Sequence, residues 1–275
     1  MGQGVRDEYV VLNGLRFHYR DWGDLSAPPI ILLHGFTGHA RSWDTLAAAL
    51  AGKYRVLALD QRGHGESGWA EDYSTQAMVS DVAAFVAALG LRSFDLLGLS
   101  MGGSNAYHYA GTRPEGLQRL VILDIGPETI AAGSQRISAG VQANDLFDTP
   151  EAAIAASRAA NPRADEFEVR HRARHNLMLT AEGKWTYRYD KALRGGTPRV
   201  RPSSEQNWAA WKNIAVPVLV VRGGASDILA GETARQMVEA LPDARLIEIP
   251  GSGHSIPLDA PARLPDMAVD RARVR

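Results

Sequence analysis

The chemistry of this chain centres on Gly98-Leu99-Ser100-Met101-Gly102, a serine with a glycine two residues away on either side. The stretch follows an apolar run, Phe94 to Leu97, and precedes a helix-like segment, Ser104 to Thr112. Strand, Gly-x-Ser-x-Gly, then helix is the setting of a nucleophile elbow, a turn so tight that the serine backbone is strained. Such a turn presents the hydroxyl at the top of a sheet, above the positive end of the next helix, where developing negative charge is favoured. A serine hydroxyl is a poor nucleophile near neutral pH and needs a base. His254, in Pro250-Gly251-Ser252-Gly253-His254 directly after the last predicted strand, suits that role. The imidazole in turn needs a carboxylate to fix its tautomer and stabilise the imidazolium. Two aspartates follow strands: Asp227, in the loop Arg222 to Asp227, and Asp124, after Val121-Ile122-Leu123. Asp227 is the preferred acid and Asp124 the alternative, since the chain order Ser, Asp, His holds for both. The developing oxyanion needs donors. The backbone amides of Met101 and of Phe36, in His34-Gly35-Phe36-Thr37-Gly38, are placed to supply them.

These side chains require a scaffold. Glu8 to Leu12 and Leu15 to Arg20 alternate around Asn13-Gly14, a hairpin pattern. Short apolar runs at Ile30 to Leu33, Arg55 to Leu59, Phe94 to Leu97 and Leu120 to Leu123 read as strands buried on both faces, and Val218 to Val221 and Arg245 to Ile249 read as further strands. Helical patterns at Ser42 to Leu50, Thr75 to Leu89, Ser104 to Thr112 and Gly231 to Leu241 lie between them. Alternation of this kind predicts a mostly parallel sheet flanked by helices. It breaks between Gly126 and Asn213, an Ala-rich, strand-poor stretch read as a helical cap inserted between two strands of one sheet. The expected organisation is a core of residues 1–125 and 214–275 with a cap of residues 126–213. Phe36, Met101, Trp185, Tyr187, Trp208 and Trp211 are the candidate walls of the pocket beneath it. An apolar wall predicts a mid-sized, uncharged acyl or aromatic group. The arginines of 170–174 and 194–201 are read as solvated surface, with an anionic substrate as the alternative. His171 and His175, four residues apart, are read as part of a solvated basic face rather than as metal ligands. The C-terminal residues 262–275 are helix-like but interrupted by Pro265, so the last turns are expected to fray.

The composition narrows the classes. With 275 residues, 45% hydrophobic and 22% charged, the chain suits one large α/β domain with an insertion. A formal net charge of -1 gives no global field for nucleic acid or an anionic membrane. The absence of cysteine excludes disulfides and a thiol nucleophile. No apolar run approaches membrane-spanning length, and the polar start carries no signal-peptide core, so the expected location is cytoplasmic. The glycine loops lack dinucleotide or phosphate-loop spacing, so no cofactor and no metal is expected. A small-molecule substrate is the expected partner; the oligomeric state has no signature in the sequence.

With these residues in view, the chain resembles the serine-nucleophile, esterase- and lactonase-like branch of the α/β-hydrolase-fold superfamily. The resemblance rests on His34-Gly35-Phe36, Asp60-Gln61-Arg62-Gly63-His64-Gly65-Glu66-Ser67, the Ser100 elbow, the Asp227 loop and Gly253-His254, in that order. It implies a structural role for the 60–67 loop. It also matches Asp227 to the acid of most members, whereas a minority branch of small acyl-ester hydrolases is similar at Asp124. The implied activity is cleavage of a carboxylic ester or lactone of a small to mid-sized apolar substrate through an acyl-enzyme. Carbon–carbon or amide hydrolysis, and a non-hydrolytic ligand-binding or lyase member, are the alternatives. Serine at the elbow sets the chain apart from epoxide hydrolases and haloalkane dehalogenases, which resemble it but carry aspartate there.

Overall fold

A computed structural model describes residues 4–143, 145–194 and 200–269. The chain opens with a hairpin of β1 (Arg6–Leu12) and β2 (Leu15–Trp22), paired from Arg6↔Asp21 to Leu12↔Leu15. Asn13 and Gly14 turn it with φ of 49° and 81°, the two positive values that a twisted two-residue hairpin demands. The chain continues through β3 (Pro29–Leu33), a short 3-10 turn at Ala40–Trp43, α1 (Asp44–Leu50), β4 (Arg55–Leu59), α2 (Thr75–Ala88), β5 (Phe94–Leu99), α3 (Met101–Gly111) and β6 (Leu117–Leu123). After the insertion follow β9 (Val218–Gly223), α8 (Gly231–Glu239), β10 (Ala244–Ile249), α9 (Ile256–Asp259) and α10 (Leu264–Val269). The expected fraying falls on residues 270–275, which lie outside the described residues.

The described strands form an eight-stranded sheet in the order β1-β2-β4-β3-β5-β6-β9-β10. β2 runs antiparallel to both β1 and β4, and the remaining neighbours are parallel. This is the α/β-hydrolase fold expected from the sequence. Alternate residues of β3 separate onto the two faces. Ile31 and Leu33 join the core that includes Phe85, Tyr107 and Trp211, while Ile30 and Leu32 join the core with Trp43, Leu46 and Val56. Each such fully buried aliphatic side chain stabilises the fold by roughly 1.5–3 kcal/mol.

β6 and β9 pair directly, Leu120↔Val218 to Leu123↔Val221, so the intervening residues interrupt the sequence and not the sheet. They form α4 (Ala131–Gln142), α5 (Pro150–Ala160), α6 (Glu166–Asn176), a short hairpin of β7 (Leu177–Leu179) and β8 (Trp185–Tyr187), and α7 (Ser204–Lys212). Capping follows from composition: Thr149 accepts from the Ala152 amide, with Pro150 entering α5, and Asp165 accepts from the Phe167 and Glu168 amides. Two features differ from expectation. The stretch contains the β7–β8 hairpin, and α7 packs against α3 of the core. A Cβ at Gly111 would lie 2.5 Å from the Ala210 carbonyl oxygen, so this contact is backbone against backbone.

α6 is a solvated basic face only in part: His175 is exposed, whereas His171 and the Arg172 backbone reach other elements. His171 Nε2 lies 2.9 Å from Asp44 Oδ2, and His39 Nε2 lies 3.1 Å from the Arg172 carbonyl oxygen, so the helix docks on the start of α1. Arg170 and Arg174 do face solvent.

Candidate active site

Ser100 joins β5 to α3 with φ 52° and ψ -117°, a conformation that L residues other than glycine rarely adopt. The surrounding chain forces it. The Ser100 amide donates to the Leu123 carbonyl (3.1 Å), and the Ser104 amide donates to the Ser100 carbonyl (2.8 Å). A Cβ at Gly98 would lie 2.4 Å from the Gly102 carbonyl oxygen, and one at Gly102 would lie 2.3 Å from that of Leu33. Neither position has room for a side chain. Met101 is the first residue of α3, where backbone N–H groups lack an intrahelical acceptor. The 34–38 loop lies alongside, since a Cβ on Gly35 would sit 3.4 Å from the Ser100 Cβ.

His254 lies after β10, and its ring bridges two side chains. Nε2 is 2.9 Å from Ser100 Oγ, and Nδ1 is 2.8 Å from Asp124 Oδ2. The loop carrying it is pinned from both sides. The Ala225 amide donates to the Ser252 carbonyl (2.8 Å), and the Gly253 amide donates to Asp259 Oδ2 (2.7 Å). Asp259 also accepts from Asn161, at the end of α5 (2.7 Å).

The carboxylate on His254 is therefore Asp124 and not the preferred Asp227. Asp124 is fully buried at the end of β6, with φ 50°. Its Oδ1 accepts from the Gly223 amide (2.8 Å), and its Oδ2 accepts from Ser226 Oγ (2.5 Å) as well as facing His254. These donors fix the orientation of the carboxylate. Asp227, the next residue after Ser226, turns outward instead. It forms a bidentate pair with Arg136 of α4 (2.6 and 3.0 Å), and this guanidinium holds its carboxyl below the usual range against the opposing effect of burial. Ser226 is a residue that the sequence reading missed. Its hydroxyl donates to Asp124 and accepts from the Ile228 and Leu229 amides (both 3.1 Å). A serine in the loop after β9, one strand over from Asp124, is the signal that was available.

The 60–67 loop braces the site from below. Asp60 Oδ2 lies 2.7 Å from His18 Nδ1 and accepts from the Glu66 amide (2.9 Å), while Oδ1 accepts from the Ala40 amide (2.5 Å). Burial opposes its charge, yet the hydrogen bond and charge of His18, with His34 and His39 nearby, bring its pKa down to about 2. His34 Nε2 accepts from the Gln61 amide (3.0 Å), and Nδ1 donates to the Gly35 carbonyl (2.8 Å). That tautomer is neutral, and burial pushes the ring down to about 4. Arg62 holds Asp81 of α2 through two bonds of 2.5 and 2.7 Å, tying the loop to that helix.

Ser100 opens onto a cavity of about 650 Å³. Phe36 and Met101 line it, as expected; Trp185, Tyr187, Trp208 and Trp211 do not. Trp211 is wholly buried in the main core, with its indole N–H on the Met237 carbonyl (2.8 Å). Trp208 bonds Glu128, Trp185 belongs to the β7–β8 hairpin, and Tyr187 packs in the cluster behind Phe36. Nor is the wall simply apolar. One face of α4 contributes Ser134, Ile137, Ser138 and Val141, the i, i+3, i+4, i+7 set of a helix. Arg194 and Arg201 line it too, which departs from their reading as plain surface.

Residues 28–261 match the family model of the alpha/beta hydrolase fold. The chain belongs to that family. It is 32% identical over 264 residues to a 3-hydroxybutyrate-oligomer hydrolase of Cupriavidus necator, covering 90% of each chain. It is also 29% identical over 252 residues to an esterase of Mycobacterium tuberculosis, covering 88% of this chain and 82% of that one. Among solved structures, an alpha/beta hydrolase from Novosphingobium aromaticivorans superposes with a TM-score of 0.82 at 31% identity, covering 93% and 94%. Hydrolase and esterase relatives of this kind support a hydrolase. Among the described residues, no helix is long and apolar enough to cross a membrane.

Proposed function

We propose that the chain is a serine hydrolase that cleaves a carboxylic ester or lactone of a small to mid-sized molecule through an acyl-enzyme. The observation that carries the reading is the His254 ring bridging Ser100 and Asp124 at the floor of the cavity. His254 Nε2 takes the proton of Ser100 as Oγ attacks the carbonyl carbon, and Asp124 stabilises the imidazolium that forms. The amides of Phe36 and Met101 receive the oxyanion, each donor being worth about 3–4 kcal/mol in comparable sites. His254 then protonates the leaving alkoxide and activates the water that releases the acid. The residues between β6 and β9 act as a cap, since α4 walls the cavity above Ser100. The orientation of Asp227 toward Arg136 supports Asp124 as the acid.

The test is the initial rate on 4-nitrophenyl esters from acetate to octanoate, wild type beside Ser100→Ala. The variant should lose at least about 10³-fold in kcat. Wild-type rates in Ser100→Ala would overturn the mechanism, and a folded wild type inert on every ester and lactone would overturn the reaction class.

A further inference from the structure

The cavity over Ser100 has an uneven charge. Among the described residues that line it there is no aspartate or glutamate, while Arg194 and Arg201 both do so. The two arginines differ in how they are held. Arg194 bonds Asp145 (2.5 Å) and, through Nε, the Tyr189 hydroxyl (2.9 Å), so its head is committed to the wall. Asp145 is shared with Lys191 (2.6 Å). Asp190 faces Tyr73 on the same wall. Three cations, Lys191, Arg194 and Arg201, therefore stand against two carboxylates, and the carboxylates lie behind the lining rather than on it. Arg201 carries the surplus. It is exposed, and among the described residues no carboxylate pairs with it.

A guanidinium on the wall of a substrate cavity, with no carboxylate partner among the described residues, raises the local concentration of an anion and can hold it in a planar, bidentate fork. The single positive charge of Arg201 matches a monoanion, whereas a phosphate dianion would leave one charge uncompensated. The polar half of the cavity, Ser134 and Ser138 of α4, offers hydroxyl donors of the kind a carboxylate accepts. The apolar half, Ile125 and Ile137 among others, suits the short chain joining such a group to the scissile bond.

From these residues we infer that the substrate of this site carries a free carboxylate, received by Arg201, in addition to the bond that Ser100 attacks. This rests on the hydrolase reading above and replaces the uncharged substrate expected from the sequence. Arg201 acts in specificity and not in the chemical step.

The test compares two aryl esters of equal acyl length, the 4-nitrophenyl monoester of glutaric acid and 4-nitrophenyl valerate. Each is measured on wild type, Arg201→Gln, Arg201→Lys and Arg201→Glu. Wild type should favour the glutarate ester by tenfold or more in kcat/KM, mainly through KM, and added salt should shrink the preference. The ratio should fall to near one in Arg201→Gln, recover in part in Arg201→Lys, and invert in Arg201→Glu. A wild-type ratio of one, or a ratio that Arg201→Gln leaves unchanged, overturns the inference. If wild type cleaves neither ester, the ester-hydrolysis reading fails first, and calorimetric titration with glutarate then decides the carboxylate site independently. Tighter binding to wild type than to Arg201→Gln supports it, and equal affinity or no binding overturns it.

Discussion

Replacing Asp124 by Asn, beside the same exchange at Asp227, separates the two carboxylates that compete for His254. Asparagine is nearly isosteric and tolerates the positive φ of 50° at position 124, so the backbone is not the variable. The Asp124 carboxylate accepts from Ser226 Oγ and the Gly223 amide while facing His254 Nδ1. An amide nitrogen in the place of Oδ2 would donate to Nδ1 and drive the ring proton to Nε2, the nitrogen that must accept from Ser100. That wrong tautomer costs about 10⁴ in kcat in comparable triads, or roughly 5.5 kcal/mol of transition-state stabilisation. Asp227 faces Arg136, and their side chains are 43% and 55% exposed. An exposed pair of this kind contributes at most about 1 kcal/mol, so Asp227→Asn should change kcat/KM by no more than about fivefold.

The assay is kcat on the best ester for both variants, with circular dichroism melts alongside. Asp124→Asn loses the charge from buried hydrogen bonds and should lower stability by about 1–3 kcal/mol. The expected gap between the variants is at least about 10³-fold in kcat. If Asp227→Asn abolishes turnover while Asp124→Asn retains it within tenfold, the assignment of the acid is refuted and the loop after β9 must rearrange in solution.

Two further outcomes follow from the same contacts. Gly102→Ala should lower the melting temperature by several degrees although alanine favours a helix, because its Cβ would meet the Leu33 carbonyl oxygen at 2.3 Å; an unchanged or raised melting temperature contradicts this. Burial pushes His34 down to about 4 and His39 to about 3, so the unfolded chain binds more protons than the native one below the ordinary histidine value of 6.5. Stability is then fully present above pH 6.5 and falls as the pH drops toward 4, by up to about 1.4 kcal/mol per pH unit for each ring. Urea denaturation of His39→Gln between pH 7 and 4.5 should show a visibly shallower acid limb, and an identical slope would rule out its part.

The elbow was legible because its demands are local. Gly98 and Gly102 leave no room for a Cβ, and a strand and a helix must flank the serine, so the spacing together with its flanking elements selects Ser100. His254 was legible for a related reason, a glycine-rich loop at the end of the last strand. The acid was not, because two neighbouring strands, β6 and β9, each end in a loop that carries an aspartate. Which one reaches the imidazole depends on a backbone torsion at Asp124 and on the register Leu123↔Val221, and neither is written in residue type. The aromatic residues of the insertion failed as pocket walls on similar grounds. Trp211 and Trp208 lie on one helix, and only packing against α3 decides which side of α7 faces the core.

The outward turn of Asp227 has a further consequence. Ser226 holds Asp124 from the loop after β9, and the next residue grips Arg136 on α4, the helix that lines the cavity. α4 packs hard against that loop, since a Cβ at Gly133 would lie 1.9 Å from the Asp227 carbonyl oxygen. One short turn thus braces the acid on one side and the cavity wall on the other. On the proposed mechanism, in which Asp124 supplies the carboxylate for His254, the charge of Asp227 is left to fix the distance between the wall and Ser100. Loss of the Arg136 pair should accordingly appear first in KM and in the acyl-length preference, while the proton transfer between Ser100 and His254 keeps its geometry.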